Sequence, residues 1–461
     1  MLFKLYRLLG IDNKLAVTLY GRMIGIFFGL GTLWLVSSIL DKTSSGYYFT
    51  FLSVLGAQVI FELGMSLVIM QFASHEMPKL RLNPKGILVG NNSSIGRLSS
   101  ILRLALKWYA GIGFLFVVIA YPAGVMFFSF GDDSSNIAWK FPWAILVISG
   151  GLNICILPIY SFLEGCDKIA SVAKVRTVQN IAGSSVAWIV LLSGGELYAL
   201  SLMNVTYALV GLLWITFYQK SFLINIFRSN RSDYSIKWKK DMLPYQWRVA
   251  GIHLTTYFSN QALVPIVFTL VGPTQAGQLG LSLALTWALL SISVSWIQTK
   301  APTFGRLLAE KRYREVDKLF LPALLVSMLV VTAGCLLIIF GKLTFQYFHS
   351  PLSDRLLETY PLLFLLATTI LNNMIFGIGI YLRADKKEPL LPMWLILSFF
   401  IVLASLLIAS QFGQNGVVMI YFLSTILVAV PWTLIIFFRA RRFRLAKNND
   451  VKKISYYKEN R

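Results

Sequence analysis

Long apolar runs alternate with short polar connections along the whole chain. Runs near 15–40, 47–73, 104–129, 141–163, 178–194, 197–219, 246–271, 278–299, 319–341, 360–382, 389–410 and 416–438 predict twelve transmembrane helices. The longest connections on the side opposite the basic loops, roughly 131–140 and 341–360, leave no room for a folded catalytic module. Any working region therefore lies within the membrane.

Composition agrees: of 461 residues, 56% are hydrophobic and only 13% charged, which excludes an ordinary soluble fold. The formal net charge of +22 raises the question of nucleic acid, and the placement of the charges answers it. With the N-terminus inside, 35 of the 42 Lys and Arg fall in cytoplasmic segments. Only Lys42, Lys140, Lys342 and Arg355 lie outside, and Arg22, Lys107 and Arg248 lie within spans. This is the positive-inside pattern over twelve helices with both termini cytoplasmic. Moving the register by one helix would put basic stretches such as Lys237–Lys240 outside. No nucleic-acid partner is expected. The basic loops and the tail 439–461 read as contacts to anionic lipid, and residues 1–14 as a basic interfacial segment. Cys155, Cys166 and Cys335 form no metal-binding spacing, so no metal is expected.

Weak internal matches suggest a duplication. Arg22-x-x-Gly25-Ile26 is echoed by Arg248-x-x-Gly251-Ile252, 226 residues on. Gly46, entering helix two, is echoed by Gly277, entering helix eight. Tyr160 with Asp167-Lys168 ends helix four as Tyr381 with Asp385-Lys386 ends helix ten. The expected architecture is all-α and polytopic, with two parallel six-helix halves. The halves would span 15–219 and 246–438, joined by a basic linker at 220–245, with the cleft between them as the candidate pathway.

Several residues stand out as carriers of chemistry. Glu62 lies near the middle of helix two, and Gln58, Glu62 and Ser66 fall on one face at i, i+4 spacing. An intramembrane carboxylate must pair, reach water or stay protonated, so Glu62 is a candidate coupling switch, with helix–helix hydrogen bonding as the plain alternative. Thr18, Arg22, Gly25, Gly29 and Thr32 make a narrow small or polar stripe on helix one. It would line a cavity, or else pack glycines against a neighbour while Arg22 snorkels. On helix seven, Arg248, Thr255 and Ser259 fall within about 40° of each other, flanked by Thr256, Asn260 and His253, a face too polar for lipid. His253 receives no role, Lys107 reads as a snorkelling residue, and Asn372 and Asn373 read as helix-to-helix hydrogen-bonding groups. No phosphate-binding loop is present, so direct use of ATP is not expected.

The order of these features resembles the polysaccharide-transport branch of the multidrug/oligosaccharidyl-lipid/polysaccharide (MOP) flippase superfamily, the bacterial O-antigen and capsular repeat-unit flippases. The carriers are the twelve-helix plan, Arg22, the loop Asp41-Lys-Thr-Ser-Ser-Gly46-Tyr47-Tyr48, Phe61-Glu62-Leu63-Gly64, and the stretch from Tyr160 to Lys168. The resemblance implies a MATE-like, V-shaped pair of six-helix bundles in the bacterial inner membrane. It also implies alternating access and transfer of undecaprenyl-diphosphate-linked oligosaccharide to the periplasmic leaflet. Arg22 and Arg248 would hold the diphosphate, bidentately, in a low-dielectric site. A polysaccharide polymerase or glycosyltransferases would be partners, and no cofactor is expected beyond H+ or Na+ coupling. An ion-driven multidrug exporter of the same superfamily is the alternative, since a midplane carboxylate suits a cationic substrate. An enzyme is disfavoured by the short outer loops and the unpaired His253.

Overall fold

Hydrocarbon supplies no hydrogen bonds, so a chain this apolar must satisfy its backbone internally. The computed structural model does so with helices almost throughout. It describes residues 13–83, 88–129, 137–228, 238–310, 312–384 and 388–459; side chains are described there except at 13–19, 82, 245, 248, 252, 256, 259, 260, 302, 309 and 445–459.

Among the described residues, nine helices are long and apolar enough to cross a membrane singly, and the bent pair Lys42–Glu62 and Met65–Lys79 makes a tenth span. Gly413 adds an eleventh: its φ of 61° and ψ of −156° divide the long helical stretch Leu391–Arg444 into two. The last is helix seven, in two pieces, Leu243–Asn260 and Leu263–Leu270, whose polar residues keep it below the hydropathy of the others. The protein is thus a multi-pass membrane protein whose described residues hold twelve helical spans, as the apolar runs predict. Numbered in order, helix one is Asn13–Ile39, helix three Asn92–Ser129, four Lys140–Gly165, five Ile169–Leu192 and six Tyr198–Arg228. Helix eight is Pro273–Gln298, nine Tyr313–Tyr347 and ten Thr359–Arg383; eleven and twelve precede and follow Gly413.

The sequence pattern differs from the structure in two ways. Helices two and seven, expected to be continuous, are each broken in the middle. A two-stranded antiparallel hairpin, Leu80–Leu82 with Leu88–Gly90, follows helix two where no strand was expected. Three residues per strand is too short a run for the alternation that announces a hairpin.

Packing divides the chain after Tyr257 into two units. In the first, helix one packs on five, two on both three and four, three on four, and four on six. In the second, the end of seven packs on the segment that begins with eleven, eight on both nine and ten, nine on ten, and ten on twelve. Raising each number by six converts the first scheme into the second, the signature of parallel duplicated halves. A π-helical turn interrupts helix six at Ile215–Gln219 and helix twelve at Thr425–Ala429.

Each unit has its own aromatic core. In the first, Phe51, Phe128 and Trp143 meet with centroids 4.8–5.3 Å apart. Gly124 gives the indole its space, since a Cβ there would come within 2.2 Å of the Trp143 ring. In the second, Phe320 contacts Tyr381 at 4.6 Å and Phe437 at 5.9 Å.

Candidate functional site

Helix two carries the most unusual geometry of the first unit. Asp41 starts it, its carboxylate accepting from the Thr43 and Ser44 amides at 3.1 Å each. The helix then runs to Glu62 and breaks, because Leu63 (φ 50°, ψ 32°) and Gly64 (φ 67°, ψ 16°) are both left-handed. For a leucine that conformation costs about 1–2 kcal/mol. Gly64 is required where it stands: a Cβ would come 2.3 Å from Val249 Cγ1 and 2.9 Å from His253 Cδ2, on helix seven.

The break changes what Glu62 does. Gln58, Glu62 and Ser66 do not form the continuous helical face that their spacing suggests. Instead the Ser66 amide donates to Glu62 Oε1 at 3.2 Å, so the carboxylate caps the second segment of helix two. The Tyr109 hydroxyl of helix three donates to the same oxygen at 3.1 Å, and Ser66 Oγ lies 2.8 Å from that hydroxyl. Tyr109 is completely buried. Sequence reading passed over it, although a buried tyrosine hydroxyl in hydrocarbon needs a polar partner, and that requirement was the available signal.

Other polar groups continue through this unit. Gln58 Nε2 is buried without a hydrogen-bond partner, against the bare backbone of Gly150. On helix four, Asn153 Nδ2 donates to Asn204 Oδ1 of helix six at 2.7 Å. Neither asparagine stood out in the sequence.

Helix one divides its expected stripe between two faces. Gly25 packs on helix five, where a Cβ would come 2.9 Å from Asn180 Nδ2. Thr32 also faces helix five, accepting from Trp188 Nε1 at 2.9 Å, while Phe28 stacks on that indole. Arg22 and Gly29 are exposed, and Gly29 has open space around it. At about 100° per residue, Arg22 lies roughly 90° from the face packed on helix five and a similar angle from Met23, Phe27, Leu30 and Trp34, the exposed apolar face. Arg22 thus lies on the flank between those two faces. The Thr18 side chain falls outside the described residues.

On helix seven Thr255 is buried, at 4% exposure, and His253 is half-buried beside Gly64. The side chains of Arg248, Thr256, Ser259 and Asn260 fall outside the description. Lys107 is exposed. Asn372 donates to the Tyr421 hydroxyl at 2.9 Å, and Asn373 accepts from Ser327 at 3.0 Å, so both bond between helices. In the turn after helix four, Lys168 donates to Gln219 at 2.8 Å and covers the Phe222 ring; burial holds its ammonium below the usual lysine range.

No protein-family model and no curated protein matches the sequence. Solved structures do match. A multidrug-resistance MATE family transporter of the MOP superfamily, in its inward-facing conformation, is 15% identical, with 93% of this chain and 99% of that chain covered at a TM-score of 0.61. The lipid II flippase MurJ in an inward closed conformation is 11% identical over 96% and 92% of the two chains, with a TM-score of 0.60. A MOP superfamily transporter from Pyrococcus furiosus, described as having a binding pocket of reverse polarity, is 14% identical over 96% and 98%, with a TM-score of 0.54. At these identities the likeness is one of fold, and it extends over nearly the whole chain: this protein carries the fold of the MOP superfamily transporters.

Proposed function

We propose that the chain is a flippase of the bacterial inner membrane. It moves undecaprenyl-diphosphate-linked oligosaccharide repeat units from the cytoplasmic to the periplasmic leaflet by alternating access, supplying surface polysaccharide synthesis. The observation that carries this reading is Arg22, an exposed cation within the span of helix one, on the flank between its packed face and its exposed apolar face. A cation in that position favours an anionic cargo, and a guanidinium matches diphosphate geometry. Arg248, at the equivalent place in the repeat, would supply the second cation. The single midplane carboxylate of helix two points the same way, since Glu62 Oε1 already accepts two hydrogen bonds and is poorly placed to bind a cationic drug.

Glu62 then serves as the coupling element. By gaining or losing a proton or a Na+ partner it would bias one conformational state, which requires that the two states differ in affinity for the ion. Glycosyltransferases upstream and a repeat-unit polymerase downstream are the proposed partners.

The test is mass spectrometry of polyprenyl lipids from cells lacking this gene, beside complemented cells. Accumulated diphosphate-linked repeat units without surface polymer are expected, and Arg22→Gln with Arg248→Gln should reproduce that state at normal membrane levels. Intact polymer together with drug hypersensitivity would replace this reading with multidrug export.

A further inference from the structure

Within the second unit, helix eight carries a face of small and polar residues with one large ring on it. Ala284, Trp287, Ala288, Ser291 and Ser295 share about 100° of arc. Ser291 is exposed and the others are half-buried, so the indole stands clear of bulky neighbours on its own helix. It meets Phe376 of helix ten at 6.2 Å, and Phe376 in turn stacks on Trp394 of helix eleven at 5.7 Å and 27°. All three rings are half-buried and together make a shelf. Trp287 also closes a small cavity with room for about one water-sized group, whose polar lining is Thr286, Thr369, Asn372 and Tyr421. These four are more than nine-tenths buried. The two threonine hydroxyls donate to carbonyls of their own helices. The Asn372 amide donates to the Tyr421 hydroxyl, which leaves the tyrosine hydrogen and the amide oxygen for the cavity. Turning the amide over exchanges the roles and still leaves the pair a donor and an acceptor. A metal cation has no use for the donor and an anion none for the acceptor, whereas a hydroxyl group uses both.

We propose that this corner of the second unit is a glycan subsite. Trp287 stacks on the C–H face of a pyranose ring, and one hydroxyl of that ring enters the cavity, donating to one member of the Asn372–Tyr421 pair and accepting from the other. A pyranose is apolar on its faces and carries hydroxyls on its rim, so it needs an aromatic surface and a donor–acceptor socket side by side. The inference rests on the flippase reading for its cargo but not for its geometry.

Equilibrium binding to full-length protein in lipid nanodiscs tests this with two radiolabelled probes, undecaprenyl diphosphate and the same lipid carrying one N-acetylglucosamine. The quantity read is the ratio of the two affinities, in which a general loss of folded protein cancels. The sugar is expected to tighten binding about tenfold in the parent protein. Trp287→Ala should bring the ratio near one, and Trp287→Phe, which keeps a ring, should retain part of it. Tyr421→Phe removes half of the socket and should lower the ratio about threefold. Trp296→Ala, at an exposed tryptophan of the same helix, should leave the ratio in place. A ratio of one in the parent protein would mean that the cavity takes water only. That result would overturn the proposal, as would no binding of either lipid or a ratio that survives Trp287→Ala. Accumulated glycolipid in cells lacking the gene, together with a ratio of one, would keep the flippase reading and remove the subsite. A ratio that depends on Trp287, with intact surface polymer and no accumulation, would do the reverse.

Discussion

Single residues in this protein are constrained chiefly by what a bare backbone or a buried polar atom demands of its neighbours. Gly124 faces the Trp143 ring so closely that Gly124→Ala must displace a fully buried indole. Overpacking of this kind costs about 1–3 kcal/mol, so thermal unfolding in detergent should begin several degrees lower in the variant. At the cytoplasmic ends of helices nine, ten and twelve, Asp317 accepts from the Tyr381 hydroxyl at 2.8 Å and from Arg441 Nε at 2.7 Å. Asp317→Ala strips both partners and is expected to cost about 1–3 kcal/mol, whereas Asp317→Asn keeps an acceptor for Tyr381 and should cost less. The same measurement separates the two. Residue-scale chemistry was legible only in part. Glu62 announced itself because a carboxylate in an apolar run is rare. Tyr109 did not, since tyrosine is ordinary in a membrane protein until its hydroxyl is seen to be buried. Gly25 and Thr32 looked like a cavity lining because small residues at helical spacing serve close packing and open passage equally well.

Elements were easier to place than to shape. Apolar runs located all twelve spans because hydrocarbon thickness sets a length that the sequence must meet. The breaks were not visible, because apolar periodicity passes unaltered through Leu63-Gly64 and through Gln261-Ala262. Backbone dihedrals of this sort are selected by packing rather than by composition. Gly413 is the exception that a sequence could have shown, lying in Phe412-Gly413-Gln414-Asn415-Gly416 between two long runs. Its φ of 61° with ψ of −156° belongs to a region that only glycine occupies readily. Gly413→Ala should therefore destabilise the chain by about 1–3 kcal/mol and lower its yield in the membrane, whereas Gly341→Ala, at a helical glycine with open space around it, should do less. Parallel expression and melting of the two variants decides the point. Equal losses would mean that backbone conformation does not govern this turn.

At the scale of the whole molecule, the duplicated packing scheme and the distribution of charge make independent statements that must agree. Repetition of the helix pairings with every number raised by six requires an even number of spans in each half, and so the same orientation for both. The basic residues choose which orientation that is. Together they fix the side of every connection: Ser193, in the exposed turn between helices five and six, belongs outside, and Ser74, exposed near the end of helix two, belongs inside. A membrane-impermeant maleimide should label Ser193→Cys in intact cells and Ser74→Cys only after lysis, in protein whose native cysteines have been replaced. Reversed labelling would invert the orientation, and the proposed flippase would then face the wrong leaflet for cargo recruited from the cytoplasm. Labelling of both sites from outside would mean an even number of crossings between residues 74 and 193 in place of the three helices found there, which would break the duplication. Because Ser74 and Ser193 lie within one unit, the result tests parity and orientation without depending on how the two halves move.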